Sequence, residues 1–523
     1  IFSMSVLVLA DGFVGMLIGW ANVGVASYLL IGFWHRKPEA AAAARKAYWV
    51  NTVGEVGLIL GSVILLGHFG SLAFADVLPQ AWTAPAGVLN AAALLLLVGA
   101  VAKSAQLPLH VWLPDAMQGP TPVSALIHAA TMVTAGVYLV VRAFPIFEAA
   151  PWGLPAVALV GIGSVLFGAL AALGQNDMKR ILAFSTMSQV GYMILGAGVG
   201  AYAAALFHFA THAFFKALLF LGAGVVINRF GGEQDVRKMG GLGRSHPFVY
   251  WTFLIGTLAL VGLPPLSGFY SKDAIVVATL MAGKPWLWVL AIAGAGLTAF
   301  YMLRLFCLVF TGERPQTAVP DDAAVTDSAS VVATAAEEQG RAVPPLKAVP
   351  LVVLALLSIV GGFFAMPDLS GVPGALADVA ETGQPAAEVF IGGWHVTEST
   401  ATMYTIGLLL FVSLVGGGLA MRKFGPRRDA QSAESGFAKA AGKGFYFDDF
   451  YRAVFVRPLM AFANLIGGVM APYVIDGAVN GVARLAGTLS VAVRRLHPGY
   501  VRRYALALMA GVAIVLLYFV LIV

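Results

Sequence analysis

Read for hydrophobic and polar positions, the chain is a succession of long apolar runs with short polar punctuation. Runs of roughly twenty residues, enough to cross a bilayer as helix, fall near 12–34, 46–68, 87–115, 120–142, 153–173, 178–200, 203–228, 247–270, 287–311, 346–366 and 401–421. The tail of another occupies 1–10, and a last run spans 501–523. The runs are continuously apolar, whereas barrel strands alternate over about ten residues. The pattern therefore predicts an all-α polytopic membrane protein. Ile1 opens inside the apolar run "IFSMSVLVLA", with neither Met nor a charged segment before it. This predicts no signal peptide and an N-terminus that lacks some helices of the bundle.

Two stretches break the pattern. Residues 313–345 are rich in Ala, Thr, Asp, Glu and Pro without apolar periodicity, and predict a flexible cytoplasmic loop. Residues 445–496 mix apolar positions with Arg452, Arg457, Asp476, Arg484, Arg494 and Arg495. That mixture suits an amphipathic helix lying along a membrane or partner surface.

Composition agrees. The 523 residues are 59% hydrophobic and 11% charged, against about 25% charged in soluble proteins. The net charge of +6 does not indicate nucleic acid, because the cations sit in particular loops. Arg36, Lys37, Arg45 and Lys46 follow one span. Lys179 and Arg180 precede another. Arg229, Arg237, Lys238 and Arg244 form a third group, and Arg422, Lys423, Arg427 and Arg428 a fourth. The intervening loops 69–86 and 367–400 hold no Lys or Arg. By the positive-inside rule the basic loops and both ends of 445–496 face the cytoplasm, which predicts a multi-pass protein of the bacterial plasma membrane. The lone Cys307 excludes an iron–sulfur cluster ligated by this chain's own thiolates, and any internal disulfide.

Candidate chemistry lies where polar groups interrupt apolar runs. A charge at mid-membrane costs roughly 2.5–3.5 kcal/mol on insertion scales. Glu55, Lys103, His128, His208, His212, Lys216 and Asp273 bear that cost, with Arg304 nearer a helix end. His208, His212 and Lys216, four apart, predict a polar stripe about 12 Å tall on one helix. Histidine titrates near neutrality, so such a stripe suits proton transfer. A zinc reading lacks the Glu of His-Glu-x-x-His and any completing ligand, so no metal is predicted. Two spans carry mid-depth helix breakers: Pro108 and Pro114 in "KSAQLPLHVWLPD", and Pro264, Pro265 and Gly268 in "VGLPPLSGFYSKD". Broken helices beside ionisable residues mark ion pathways.

Five stretches carry a resemblance: "KSAQLPLHVWLPDAMQGPTPVSALIHAATMVTAGVYLVVR" (103–142), "DMKRILAFSTMSQVGYMILG" (177–196), "HFATHAFFKALLFLGAG" (208–224), "GLPPLSGFYSKDAI" (262–275) and "YVRRYALA" (500–507). In these the chain resembles the antiporter-like subunits of respiratory complex I, and among them the distal subunit L. The resemblance implies two inverted five-helix repeats with broken helices, a long lateral amphipathic helix and a C-terminal anchor helix. It divides the chain into a first repeat (1–142), a connecting helix (143–177), a second repeat (178–311), the loop 312–345, further membrane helices (346–421), the lateral region (422–500) and the anchor (501–523). It implies Lys103 and Lys216 as the channel lysines, His128 between them, His208 and His212 beside Lys216, and Asp273 at the exit end.

One departure stands out. The family's Trp-Glu-x-Val-Gly reads Trp20-Ala21-Asn22-Val23-Gly24 here, and its Arg-Val-Gly-Asp reads Thr52-Val53-Gly54-Glu55. An acid and a base are lost together, which avoids stranding a buried charge. Glu55 is then expected to be the acidic partner of Lys103. The implied function is proton translocation within NADH–quinone oxidoreductase, driven by redox chemistry in partner subunits that hold FMN, iron–sulfur clusters and quinone; no cofactor is expected here. The implied partners are the M-, N- and K-type membrane subunits and the lipid bilayer. The rival readings are an Mrp-type Na⁺/H⁺ antiporter subunit, an ion-translocating subunit of a membrane hydrogenase or inorganic-carbon uptake complex, and a purely structural subunit.

Overall fold

Apolar sequence without strand alternation folds here as helix almost throughout. The structure is a computed structural model that describes residues 1–312, 343–363, 388–391, 394–425, 436–496 and 499–522. The predicted cytoplasmic loop at 313–345 lies almost wholly outside these residues. Among the described residues, ten helices are long and apolar enough to cross a membrane.

The first part of the chain forms α1 (Phe2–Leu9), α2 (Phe13–Ile31), α3 (Pro38–Phe69), α4 (Phe74–Gln80), α5 (Ala86–Lys103), α6 (Thr121–Ala129), α7 (Ala135–Arg142), α8 (Phe144–Ala149) and α9 (Gly153–Gly174). Then come α10 (Met178–Gly198), α11 (Tyr202–Arg229), the short α12 (Leu242–Ser245), α13 (Pro247–Val261), α14 (Ser267–Met281), α15 (Pro285–Phe310), α16 (Pro345–Val360), α17 (Glu398–Phe424) and α18 (Gly436–Gly442). A short antiparallel hairpin, β1 (Glu388–Ile391) with β2 (Trp394–Thr397), precedes α17.

The prolines interrupt helices where expected. The apolar run 87–115 is helical only to Lys103, and 104–114 is irregular. The run 247–270 stops at Val261, where Gly262 adopts φ +89°, and helix restarts at Ser267. A third break, between α6 and α7 at residues 130–134, interrupts the run 120–142 without a proline. Its sequence, Ala130-Thr131-Met132-Val133-Thr134, is unremarkable, but Thr131 and Thr134 hydroxyls bond to the carbonyls of Leu126 and Ala130 and so compete with the helical ladder.

Helix α10 is the axis of this part, buried over nearly its whole length. It packs most closely on α9 and also on α11, α14, α15 and α7. With no face toward lipid, α10 can carry Ser185, Thr186, Ser188 and Gln189 at no exposure. Peripheral helices behave oppositely: α2 buries Met16, Trp20 and Val23 while Val14, Ile18, Val25 and Leu29 stay exposed, as lipid-facing positions should.

Residues Tyr446–Val523 form a second compact unit. In it α19 (Phe447–Tyr451), α20 (Arg457–Leu465) and α21 (Asp476–Leu496) join through wider π-helical turns at Arg452–Val456 and Ile466–Ile475 into one nearly continuous helix. Pro472 falls inside the second widened segment. It removes a backbone donor and crowds the preceding turn, and widening relieves both. The final helix α22 (Val501–Ile522) is apolar from Tyr504 onward.

Candidate functional site

Lys103 occupies the last position of α5, where the helix dipole favours a cation. The chain leaves the helix immediately: the Ser104 and Gln106 amides close on Ala100 and Val101, and the Trp112 indole donates to the Ala102 carbonyl at 2.9 Å. The lysine is fully buried, and its Nζ lies 3.2 Å from Glu55 Oε1 and 5.8 Å from the Trp20 ring centroid.

Close helix packing makes this pair possible. Gly54 lets α3 approach α5 so tightly that a Cβ there would sit 2.3 Å from Ala102 Cβ. The neighbouring Glu55 thereby reaches the lysine. On the opposite side, a Cβ at Gly24 would lie 2.8 Å from Lys103 Nζ and 2.9 Å from Glu55 Oε1. A side chain at position 24 would therefore intrude on the pair from α2. Ala21 and Asn22 lie on the exposed face of that helix.

The second centre is built on α11. Lys216 is fully buried, and its Nζ donates to Leu182 O at 3.2 Å and Ser185 Oγ at 2.9 Å. Among the described residues it has no carboxylate partner within ion-pair distance. His208 Nδ1 meets Ser271 Oγ at 2.9 Å, and its Nε2 meets Gln189 Oε1 at 3.3 Å. His212 Nδ1 donates to Ala129 O at 3.1 Å. The stripe expected at 208–216 is therefore not a direct wire. The two histidine rings are 6.4 Å apart between centroids; His208 bonds to α14 and α10, His212 to α6 and Lys216 to α10.

His128 stands where α6 meets α11. Its ring stacks on Phe220 at 5.2 Å, and neither nitrogen has a hydrogen-bond partner. Asp273 on α14 is buried with Oδ2 unpartnered. Beside it, Lys272 caps α13 by donating to Leu260 O at 3.0 Å and Val261 O at 3.1 Å. Arg304 is structural in the same way: its guanidinium holds Gln175 O at 2.8 Å and Asn176 Oδ1 at 2.6 Å.

Other members of the site carry no charge and are inconspicuous in the sequence. Gln106, in the first break, is fully buried and donates to Ser104 O and to Met187 O on α10, with Oε1 unpartnered. Gln189 Nε2, His212 Nε2, Thr257 Oγ1 and Ser267 Oγ are likewise buried and unpartnered. A usable signal exists for α10 alone: Ser185, Ser188, Gln189 and Tyr192 recur at the three- and four-residue spacing of one helix face. Among the described residues no three His, Cys, Asp or Glu side chains cluster as a metal site.

A separate ionic knot lies at the end of the first break. Asp115 pairs with Lys46 on α3 at 2.6 Å and Arg180 on α10 at 3.1 Å. The buried Lys179 ammonium donates to Met117 O and Gly119 O.

Comparison with known proteins places this arrangement. Residues 10–298 match the family described as NADH:quinone oxidoreductase/Mrp antiporter, membrane region. NADH-quinone oxidoreductase subunit L of Mycobacterium tuberculosis (strain ATCC 25618 / H37Rv) is 43% identical over 524 residues, covering 98% of this chain and 78% of that protein. The chain belongs to the subunit L family of NADH-quinone oxidoreductase. NAD(P)H-quinone oxidoreductase chain 5 of Picosynechococcus sp. is 40% identical, with 98% of this chain and 79% of that one covered. Among solved structures, the Mrp complex from Dietzia sp. DQ12-45-1b superposes with a TM-score of 0.69 at 27% identity, over 94% of this chain and 50% of that one. The chain thus spans half the length of that structural neighbour. As a subunit L family member the chain is a multi-pass membrane subunit of a multi-subunit complex, with the family's two inverted five-helix repeats and broken helices.

Proposed function

We propose that this chain translocates protons as a membrane subunit of NADH:quinone oxidoreductase, and that Lys103, Glu55, His128, His208, His212, Lys216 and Asp273 carry them with intervening water. The observation that carries this reading is the distribution of unpartnered buried polar atoms. They occur at nine described residues, Trp20, Asn51 and Thr257 together with Gln106, His128, Gln189, His212, Ser267 and Asp273, and the last six neighbour or separate the charged groups. An unpaired buried polar atom costs about 1–3 kcal/mol, and ordered water is the partner such atoms take. Lys103, paired with a carboxylate, and Lys216, held by neutral oxygens, with titratable histidines between them, suit an electrostatic mechanism. A charge change near a buried lysine alters its proton affinity, and the carboxylate favours its protonated form.

In this reading FMN, iron–sulfur clusters and quinone reside in partner subunits of the M-, N- and K-neighbour assembly. The long helix 447–496 lies along those partners, and the membrane is the bacterial plasma membrane with basic loops on the cytoplasmic side. In this reading 1–142 form the first repeat, 143–177 the connecting helix and 178–311 the second repeat. The likeness to an Mrp complex supports a second reading, sodium–proton exchange.

The test uses the assembled complex in vesicles, with NADH-driven proton uptake measured against NADH oxidation. Lys216→Ala and Glu55→Gln are expected to lower protons moved per NADH. Unchanged stoichiometry in both removes the site assignment. Sodium-dependent transport without NADH selects the exchange reading.

A further inference from the structure

Lys103 and Lys216 differ in what holds them. Lys103 has a carboxylate, and Lys216 has neutral oxygens. One of these, Ser185 Oγ, is also 3.0 Å from the Tyr301 hydroxyl on α15. Tyr301 is fully buried and lies 3.5 Å from Thr298 Oγ1. A set of hydroxyls thus runs from Lys216 through Ser185 on α10 to Tyr301 and Thr298 on α15.

Resting on the reading that Lys216 carries protons, we propose that Ser185 and Tyr301 form a reversible hydroxyl chain that positions Lys216 and reverses with its protonation state. The argument is one of donors and acceptors. A serine or tyrosine hydroxyl has one hydrogen and can both donate and accept. When Lys216 is a neutral amine, Tyr301 donates to Ser185 and Ser185 donates to the amine nitrogen. When Lys216 is an ammonium it donates to Ser185, Ser185 donates to Tyr301, and the Tyr301 hydrogen turns toward Thr298. Each state satisfies the chain with the hydrogens running in one direction. No hydroxyl gains or loses a proton; only the rotors reverse. The geometry records both donor options of Tyr301, toward Ser185 and toward Thr298. A phenylalanine would fill the same core volume, so the hydroxyl is what the chain requires.

The titratable and charged groups around Lys216 are His212 on its own helix, His128 from α6, Lys179 from α10 and Tyr301 from α15. Helix α14 contributes Lys272 and Asp273 nearer His208.

The experiment follows NADH-driven proton uptake of the reconstituted complex as a function of pH. Ser185→Ala and Tyr301→Phe are each expected to shift the pH midpoint by about half to one unit. The double variant should shift no further than the larger single one, because both act on one chain. Ser185→Thr, which keeps the hydroxyl, should restore the original profile. Ser358→Ala is the control: that buried hydroxyl on α16 donates to Leu354 O, and its loss should move nothing. Unshifted profiles in both single variants, or fully additive shifts, overturn the hydroxyl chain. If Lys216→Ala alone pumps normally, the parent reading falls and this inference with it. If Lys216→Ala fails to pump while Ser185→Ala and Tyr301→Phe match the original, only the chain falls. Should Tyr301→Phe not assemble, the Ser185→Ala and Ser185→Thr pair decides.

Discussion

Glu55 and Lys103 meet at 3.2 Å across the α3–α5 contact, with the lysine fully buried and the carboxylate side chain 19% exposed. Removing one member of a buried pair costs more than removing both, because a lone charge stays behind. Glu55→Gln is expected to destabilise the subunit by about 1–3 kcal/mol, below the fully buried figure because Glu55 keeps some solvent access. Glu55→Gln with Lys103→Met should recover part of that loss. Thermal unfolding of the complex checks it: a double variant less stable than both singles would show that the pair contributes no coupling.

Two glycines around that pair should respond differently. At Gly54 an added side chain meets the Ala102 Cβ and the backbone carbonyl of Val98, neither of which can turn aside. Gly54→Val should cost several kcal/mol, of the order seen for overpacked cores, and prevent assembly. At Gly24 the atoms met are the tips of Lys103 and Glu55, both on flexible stems. Gly24→Ala should leave assembly intact but separate the pair and lower pumping. Normal pumping by Gly24→Ala would contradict this, and so would assembled Gly54→Val.

Much of this was legible in the sequence, and the reasons are physical. Apolar length fixes spanning helices, and Pro108, Pro264 and Pro265 fix two of the three breaks. The charged site residues stand out because lipid penalises them. The Glu55–Lys103 approach followed from the missing acid at Ala21, although the exposure of Ala21 on α2 did not. The break at 130–134 was hidden because no Pro or Gly marks it. Ser185, Gln189 and Tyr301 were hidden because such residues are cheap in any buried helix, and only packing shows which lysine they face. The partners of His208 and His212 were hidden for a related reason: four-residue spacing gives a common face but does not say which neighbouring helix covers each position.

Asp115 joins α3 to α10 through Lys46 and Arg180. All three side chains are about a third exposed, so each pair alone contributes about 0–1 kcal/mol. Their shared carboxylate also sits between cations, and its neutralisation leaves Lys46 and Arg180 facing one another near buried Lys179. Asp115→Asn should therefore cost about 1–2 kcal/mol, with a larger loss at low salt than at high salt. A salt-independent effect would remove the electrostatic explanation.

The loop after α11 supplies a pH dependence. The Lys238 ammonium and the backbone amides of Asp235 and Gln234 hold the Glu233 carboxyl below its ordinary range. A depressed carboxyl contributes stability that is present above its unfolded value, near pH 4.5. That contribution disappears as pH falls through the lower folded value. Protection of the 233–238 amides from hydrogen exchange, corrected for intrinsic rate, should hold from neutrality to about pH 5 and decline below it. Glu233→Gln should flatten the profile. A decline that persists in Glu233→Gln would assign it to another group.

His128 separates function from stability most sharply. It stacks on Phe220, shows no exposure, and leaves both ring nitrogens without a partner. For a core residue that is a poor choice, since a phenylalanine would stack equally well and remove two unpaired polar atoms at about 1–3 kcal/mol each. Sites kept at a cost to stability are where function is sought. His128→Phe is therefore expected to raise the thermal stability of the complex while lowering protons moved per NADH, and His128→Gln should retain more pumping than His128→Phe because it keeps polar atoms for water. Both quantities come from one preparation, by unfolding and by vesicle uptake. If His128→Phe destabilised the complex and left pumping intact, the histidine would be a packing residue, and the route between Lys103 and Lys216 would have to run through Gln106 instead.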